Sequence, residues 1–211
     1  MSRKKWLALF TALGIVLAAA LTTAAMTAGG HKRAEDSPVL QPPTTTTPTT
    51  HRPTTTTVKL PHPEDPPADP YAPTPIVQVG VIDIPKISLV HPVYEGITLT
   101  VIDHGPGHWP GSAMPCEVGN TVFPGHRVTH THPFMNLDQL SPGDHIVFHL
   151  ADRDCVYAVT KTLIVQPTDL WVVDQTPAKT VTLIACHPKH SAAQRIVVQG
   201  TLIGDIKRTA A

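Results

Sequence analysis

The apolar positions of this chain fall into three regimes. From Trp6 to Gly30 they form one run of mostly Leu, Ala, Ile, Val and Thr, without a charged residue. At about 1.5 Å per helical residue, such a run crosses a hydrocarbon core of roughly 30 Å. Over 34–75 apolar clusters nearly vanish. From 76 onward short β-rich runs at 77–84, 98–102, 120–123, 144–150, 155–165, 180–185 and 195–203 are separated by turn residues. Val156, Ala158 and Thr160 alternate with Tyr157, Val159 and Lys161, the mark of a strand with two unlike faces. Ser141-Pro142-Gly143-Asp144 reads as a turn and Asp152-Arg153-Asp154 as a hairpin tip. One or two helical turns are expected over 133–140. Seven or eight strands in about 130 residues predict an all-β closed barrel or sandwich, because an open sheet of that size leaves its edges unpaired.

Composition sharpens the middle regime. Residues 38–75 hold 12 prolines and 11 threonines. Proline at this density fixes φ and removes backbone donors, so an extended, disordered Pro/Thr-rich stalk is expected there. Residues 1–5, with Arg3, Lys4 and Lys5, then read as a cytoplasmic tail, 6–30 as a transmembrane signal-anchor, 31–75 as an extracellular linker and 76–211 as one domain. Basic residues before the run place the N-terminus inside, although Lys32 and Arg33 on its far side oppose that signal. A cleaved signal peptide is the alternative, but its apolar region normally spans only about 7 to 15 residues. In either case the rest of the chain is exported. Lys plus Arg equals Asp plus Glu at 16 each, which leaves no basic field for phosphates, so no nucleic-acid partner is expected.

Export gives the three cysteines, Cys116, Cys155 and Cys186, their meaning. An odd number outside the cell allows one disulfide at most and leaves a thiol over. Cys116 and Cys155 could form that bridge if their Cα atoms come within about 7 Å, which the sequence does not decide. Cys186 ends the strand-like run Thr182-Leu183-Ile184-Ala185 and precedes His187-Pro188, which cannot continue a ladder. A thiol there can react, whereas a mid-strand thiol is usually an inert core residue. A cysteine nucleophile needs a group to manage the proton and a donor for the oxyanion. Gly125-His126-Arg127 follows another strand end. Arg195 opens the last strand nine residues after Cys186, as a hairpin partner would.

The order Gly125-His126-Arg127, Thr182-Leu183-Ile184-Ala185-Cys186, Arg195 resembles the His, TLxTC and Arg signature of the sortases, the cysteine transpeptidases of Gram-positive cell surfaces. Ile84-Pro85-Lys86-Ile87, Phe134-x-x-Leu137-x-x-Leu140 and Gly143-Asp144 agree with it. Cys186-His187-Pro188 and the stretch Gly107-His108-Trp109-Pro110-Gly111 look most like the class E housekeeping sortases of actinobacteria. The resemblance implies a closed eight-stranded β-barrel with one or two short helices. It implies catalysis by Cys186, His126 and Arg195, with substrate contacts at Trp109, Thr182 and Ala185, and no metal or organic cofactor. Ala185 stands where the family usually has Thr. The implied partners are surface proteins bearing a C-terminal sorting signal of LAxTG or LPxTG type, a peptidoglycan-precursor amine, and the membrane that a single span anchors.

Other readings remain open. A pilus-polymerising sortase is one, although such enzymes often carry a lid segment before the barrel and the stalk shows no motif to anchor one. With 13 histidines, His126, His130, His132, His187 and His190 together with Cys186 allow a zinc-binding exported protein. No His-Glu-x-x-His or Cys-x-x-Cys element supports it. A non-catalytic wall-binding module on a stalk is the last.

Overall fold

The computed structural model describes residues 59–208. The expected tail and membrane anchor, and the linker up to residue 58, lie outside them. Among the described residues no helix is long and apolar enough to cross a membrane.

Eight strands form one sheet: β1 (Gln78–Ile84), β2 (Leu89–Glu95), β3 (Gly107–His108), β4 (Gly119–Pro124), β5 (His145–His149), β6 (Arg153–Val165), β7 (Lys179–His187) and β8 (Gln194–Lys207). Their order is β3-β2-β1-β5-β6-β8-β7-β4. The pairs β2–β3 and β4–β7 are parallel and the others antiparallel. The sheet curls until its two ends meet. There Trp109, just past β3, donates its backbone N–H to the Val122 carbonyl of β4 at 2.8 Å. The barrel is therefore nearly closed, with a seam between β3 and β4, rather than fully closed.

Period-2 alternation fills this barrel. Ile82, Ile84, Val93, Phe123, Ile146, Phe148, Tyr157, Val181, Leu183 and Val198 form the inner core, all fully buried. Trp109, Val122, Val165, Val172, Val173, Ile184 and Val197 form a second cluster on the other face of the sheet. Inside the barrel Cys116 and Cys155 are joined by a disulfide with Cα atoms 5.5 Å apart. Closing a loop of 39 residues contributes about 4 kcal/mol in the chain-entropy view. Beside it the Tyr157 hydroxyl accepts the Cys116 N–H at 2.8 Å, and burial pushes the phenol up to about 12.

Several sequence expectations are corrected. The run 98–102 is not a strand but a single helical turn, α1 (Leu99–Ile102), with Val101 and Ile102 turned inward. A five-residue apolar stretch carries too little periodicity to separate the two states. β2 was hidden by Pro92, which suits an edge. β3 pairs with β2 only at Tyr94 and Glu95, so the outer side of β2 at Pro92 carries no ladder for the missing N–H to interrupt. The helix expected over 133–140 is a 3-10 turn, Leu137–Gln139, while Phe134, Leu137 and Leu140 are all buried.

The domain also starts earlier than residue 76. Residues 59–74 are a strap laid across the barrel rather than free stalk. Glu64 donates its N–H to Pro110 O at 2.9 Å and accepts the Trp109 indole N–H on its carbonyl at 2.8 Å. Leu99 N–H binds Pro70 O at 2.7 Å. The strap passes so close over Gly111, at φ +74°, that a Cβ there would lie 2.1 Å from His62 O. Proline removed donors from this segment, as its composition implied, but its carbonyls still accept bonds from the domain.

Candidate active site

Alternation along β7 divides its side chains. Val181, Leu183 and Ala185 enter the barrel core, whereas Ile184 belongs to the outer cluster and Cys186 follows it on the same face. The antiparallel register with β8 sets Cys186 opposite Arg195. Arg195 is half-buried, and its Nη1 donates to Ala192 O and Gln194 O, both at 2.9 Å.

His126 reaches the same end of β7 because β4 runs parallel to it. Pro124 pairs with Ile184, and Gly125 donates its N–H to Ile184 O at 2.9 Å. A Cβ on Gly125 would meet the Phe134 ring at 2.8 Å, so this position needs glycine for its close approach. His126 Nε2 lies 2.7 Å from Asp103 Oδ1, and His130 Nε2 lies 3.2 Å from the same oxygen. The two imidazoles stack with centroids 4.6 Å apart and planes 19° from parallel.

Arg127 turns the other way and is fully buried. Its Nε donates to Met135 O at 2.9 Å, Nη1 to Cys186 O at 3.2 Å, and Nη2 lies 2.8 Å from Asp138 Oδ1. Partial burial raises the Asp138 pKa, but its backbone hydrogen bond and the charges of Arg127 and Lys189 outweigh that and hold the carboxyl below its ordinary value.

Two concavities flank the thiol. A cavity of about 340 Å³ is lined by His126, Arg127, Cys186, His190 and neighbours. An apolar groove of about 310 Å³ is walled by strap residues Pro66, Pro67 and Pro70 on one side and includes Trp109, Ile184 and Arg195. A half-buried thiol, an imidazole in the same cavity and a guanidinium opposite it in register form the set that acyl transfer through cysteine requires. The family model of the sortase domain matches residues 82–203. The chain belongs to the sortase family.

Among relatives, the Streptomyces coelicolor protein named sortase SrtE1 is 32% identical over 146 residues, 62% of this chain and 42% of that protein. Sortase D of Bacillus subtilis is 30% identical over 125 residues, 57% of this chain and 62% of that one. The chain thus spans less than two thirds of the length of either relative. Among solved structures, Streptomyces coelicolor sortase E1 with a tripeptide in its active site superposes with a TM-score of 0.60 at 29% identity, covering 63% of this chain and 91% of that one. A Clostridium perfringens sortase D5 transpeptidase gives 0.56 at 32% identity, covering 60% and 79%.

Within this sortase domain Cys186 and His126 line one cavity, while Arg195 pairs with Cys186 in the ladder and lines the apolar groove. Trp109 is nearly buried but lines the groove, its N–H tied to the strap. The two other expected substrate contacts do not face a cavity. Ala185 packs in the barrel core. Thr182 is fully buried, with its hydroxyl donating to Asn120 Oδ1 at 2.8 Å. Period 2 turns Ala185 away from the thiol, and Thr182 is covered by its own hydrogen bonds. The histidine cluster expected around Cys186 does not assemble either. Among the described residues the ligand atoms that converge belong to Asp103, His126 and His130, without His132, His187 or the thiol. Asp103 and the structural role of Arg127 are additions. Asp103 sits 23 residues before His126 and carries no local signal, and the only sequence signal at Arg127 is its place next to His126.

Proposed function

We propose that this sortase is a membrane-anchored cysteine transpeptidase that cleaves a C-terminal sorting signal between Thr and Gly and passes the surface protein to a cell-wall amine. The Cys186 thiolate attacks the Thr carbonyl, forming an S–C bond and an oxyanion that the Arg195 guanidinium faces. Collapse breaks the C–N bond, and His126 in its protonated form delivers the proton to the leaving glycine amine. An incoming amine then attacks the thioester and displaces the thiolate, and its proton passes to His126, which restores the enzyme. Residues 6–30 are the anchor in this reading, holding the catalytic domain outside the cell.

The observation that supports it most is the register of Cys186 against Arg195, with His126 lining the thiol's own cavity. The class E resemblance of Cys186-His187-Pro188 and Gly107-His108-Trp109-Pro110-Gly111 implies a preference for LAxTG over LPxTG peptides. Trp109, pinned against the strap, narrows the groove beside the second residue of the signal. A ring that fits less well than a methyl costs about 1 to 3 kcal/mol, or roughly 10 to 200-fold in kcat/KM.

The test is turnover of both peptides with a panel of amines. Cys186→Ala should lose cleavage and transfer together while keeping its circular dichroism. Substantial turnover by that variant would sink the mechanism, and equal rates on the two peptides with the wild type would remove the class E preference alone.

A further inference from the structure

One carboxylate oxygen lies against the ring nitrogens of two stacked imidazoles. Asp103 Oδ1 has His126 Nε2 at 2.7 Å and His130 Nε2 at 3.2 Å, and the three atoms lie within 4.8 Å of one another. The residues come from three places: Asp103 just past α1, His126 just past β4, and His130 four residues on, held at φ 50°. A non-glycine residue in that left-handed region costs free energy, and here it accompanies the turn of the His130 ring back onto His126. The side chains of His126, Asp103 and His130 are 18%, 33% and 47% exposed, so an ion can reach them from solvent.

We propose that Asp103, His126 and His130 form a binding site for a divalent transition metal, best matched to Zn²⁺, and that filling it switches the enzyme off reversibly. Two imidazoles and one carboxylate are zinc ligands, whereas calcium and magnesium demand mostly oxygen. Tetrahedral bonds of about 2.0 to 2.1 Å set ligand atoms roughly 3.3 Å apart. The Asp103–His130 distance of 3.2 Å is close to that value, and the Asp103–His126 distance of 2.7 Å needs to lengthen by about 0.6 Å, which partly exposed side chains allow. Water completes the fourth position. Each imidazole binds the ion through Nε2 as the neutral ring with its proton on Nδ1, so a proton leaves to solvent only from a ring that was doubly protonated. The ion occupies Nε2 of His126 and fixes its ring, so the imidazole can no longer supply a proton to a leaving amine. The binding claim stands on the three residues alone, and the inhibition rests on the role proposed above for His126.

Binding is measured on the full chain by equilibrium dialysis against Zn²⁺ with elemental analysis, for the wild type, Cys186→Ala, His130→Ala and Asp103→Asn. One Zn²⁺ per wild-type and per Cys186→Ala chain is expected, with affinity weakened by on the order of tenfold or more in the other two. Equal affinity in His130→Ala, or loss of binding in Cys186→Ala, would overturn the site. Co²⁺ substitution gives a second readout: a tetrahedral visible spectrum without a sulfur-to-cobalt charge-transfer band supports the three-residue set, and such a band overturns it. In the peptide assay Zn²⁺ should inhibit the wild type, a chelator should restore it, and His130→Ala should need at least about tenfold more metal for the same inhibition. Stoichiometric binding without inhibition would refute the inhibitory switch and the assigned role of His126 while leaving the metal site in place.

Discussion

Two arginines stand beside Cys186, and they have been put to opposite uses. Arg127 is fully buried, with its donors committed to Met135 O, to the carbonyl of Cys186 itself and to Asp138. Arg195 is half-buried, is opposite the thiol in the ladder and lines the apolar groove. The first fixes the backbone that carries the nucleophile. The second spends only Nη1, on the Ala192 and Gln194 carbonyls, and is the group proposed above to face the oxyanion. Proximity to a thiol therefore does not identify an oxyanion donor, and the number of donors already spent discriminates better.

The largest expected effect lies on the Arg127 side. Arg127→Met strands two part-buried carbonyls and unpairs the half-exposed Asp138 carboxylate, a loss of about 2 to 4 kcal/mol in unfolding free energy measured by urea titration. A loss under about 1 kcal/mol would mean that Arg127 is not the structural member of the pair.

Next comes Arg195→Lys, which keeps the charge and loses the planar guanidinium fork. It should lower kcat by on the order of a hundredfold with little change in urea midpoint. An unchanged kcat would return Arg195 to a strand charge, and a large stability loss would erase the contrast between the two residues.

The smallest effect is a pH dependence. Because the folded Asp138 pKa is below its ordinary 3.8, its contribution is fully present above that value and is lost as pH falls through the folded value. The carboxylate is 46% exposed, so the effect should be under about 1 kcal/mol. The wild type should be slightly more stable than Asp138→Asn at neutral pH, and the difference should disappear in acid. A difference that grows below pH 4 would reverse the sign and detach Asp138 from Arg127.

Much of this arrangement was legible in the sequence because strands carry their own ruler. The eight residues between Cys186 and Arg195 suffice for a short turn and a facing pair, and the ladder has that register. The parallel seating of β4 against β7 was not legible, since nothing local in 119–124 states which distant strand it joins. His126 was found as a strand-end residue, but its partner Asp103 was not, because α1 had been read as a strand and the residue after it had no assigned direction. The strap was missed for a different reason. Composition reports which donors a proline-rich segment lacks, and it is silent about the carbonyls that remain to be bound.

The disulfide has a consequence for the order in which the chain is delivered. Cys116 and Cys155 both precede Cys186, and their bridge lies in the barrel core. In a chain released N-terminus first, those two thiols can find each other before the third emerges. In a chain exported as proposed above, Cys186 then arrives after the other two cysteines have paired, and its late position protects it from being captured by its own protein.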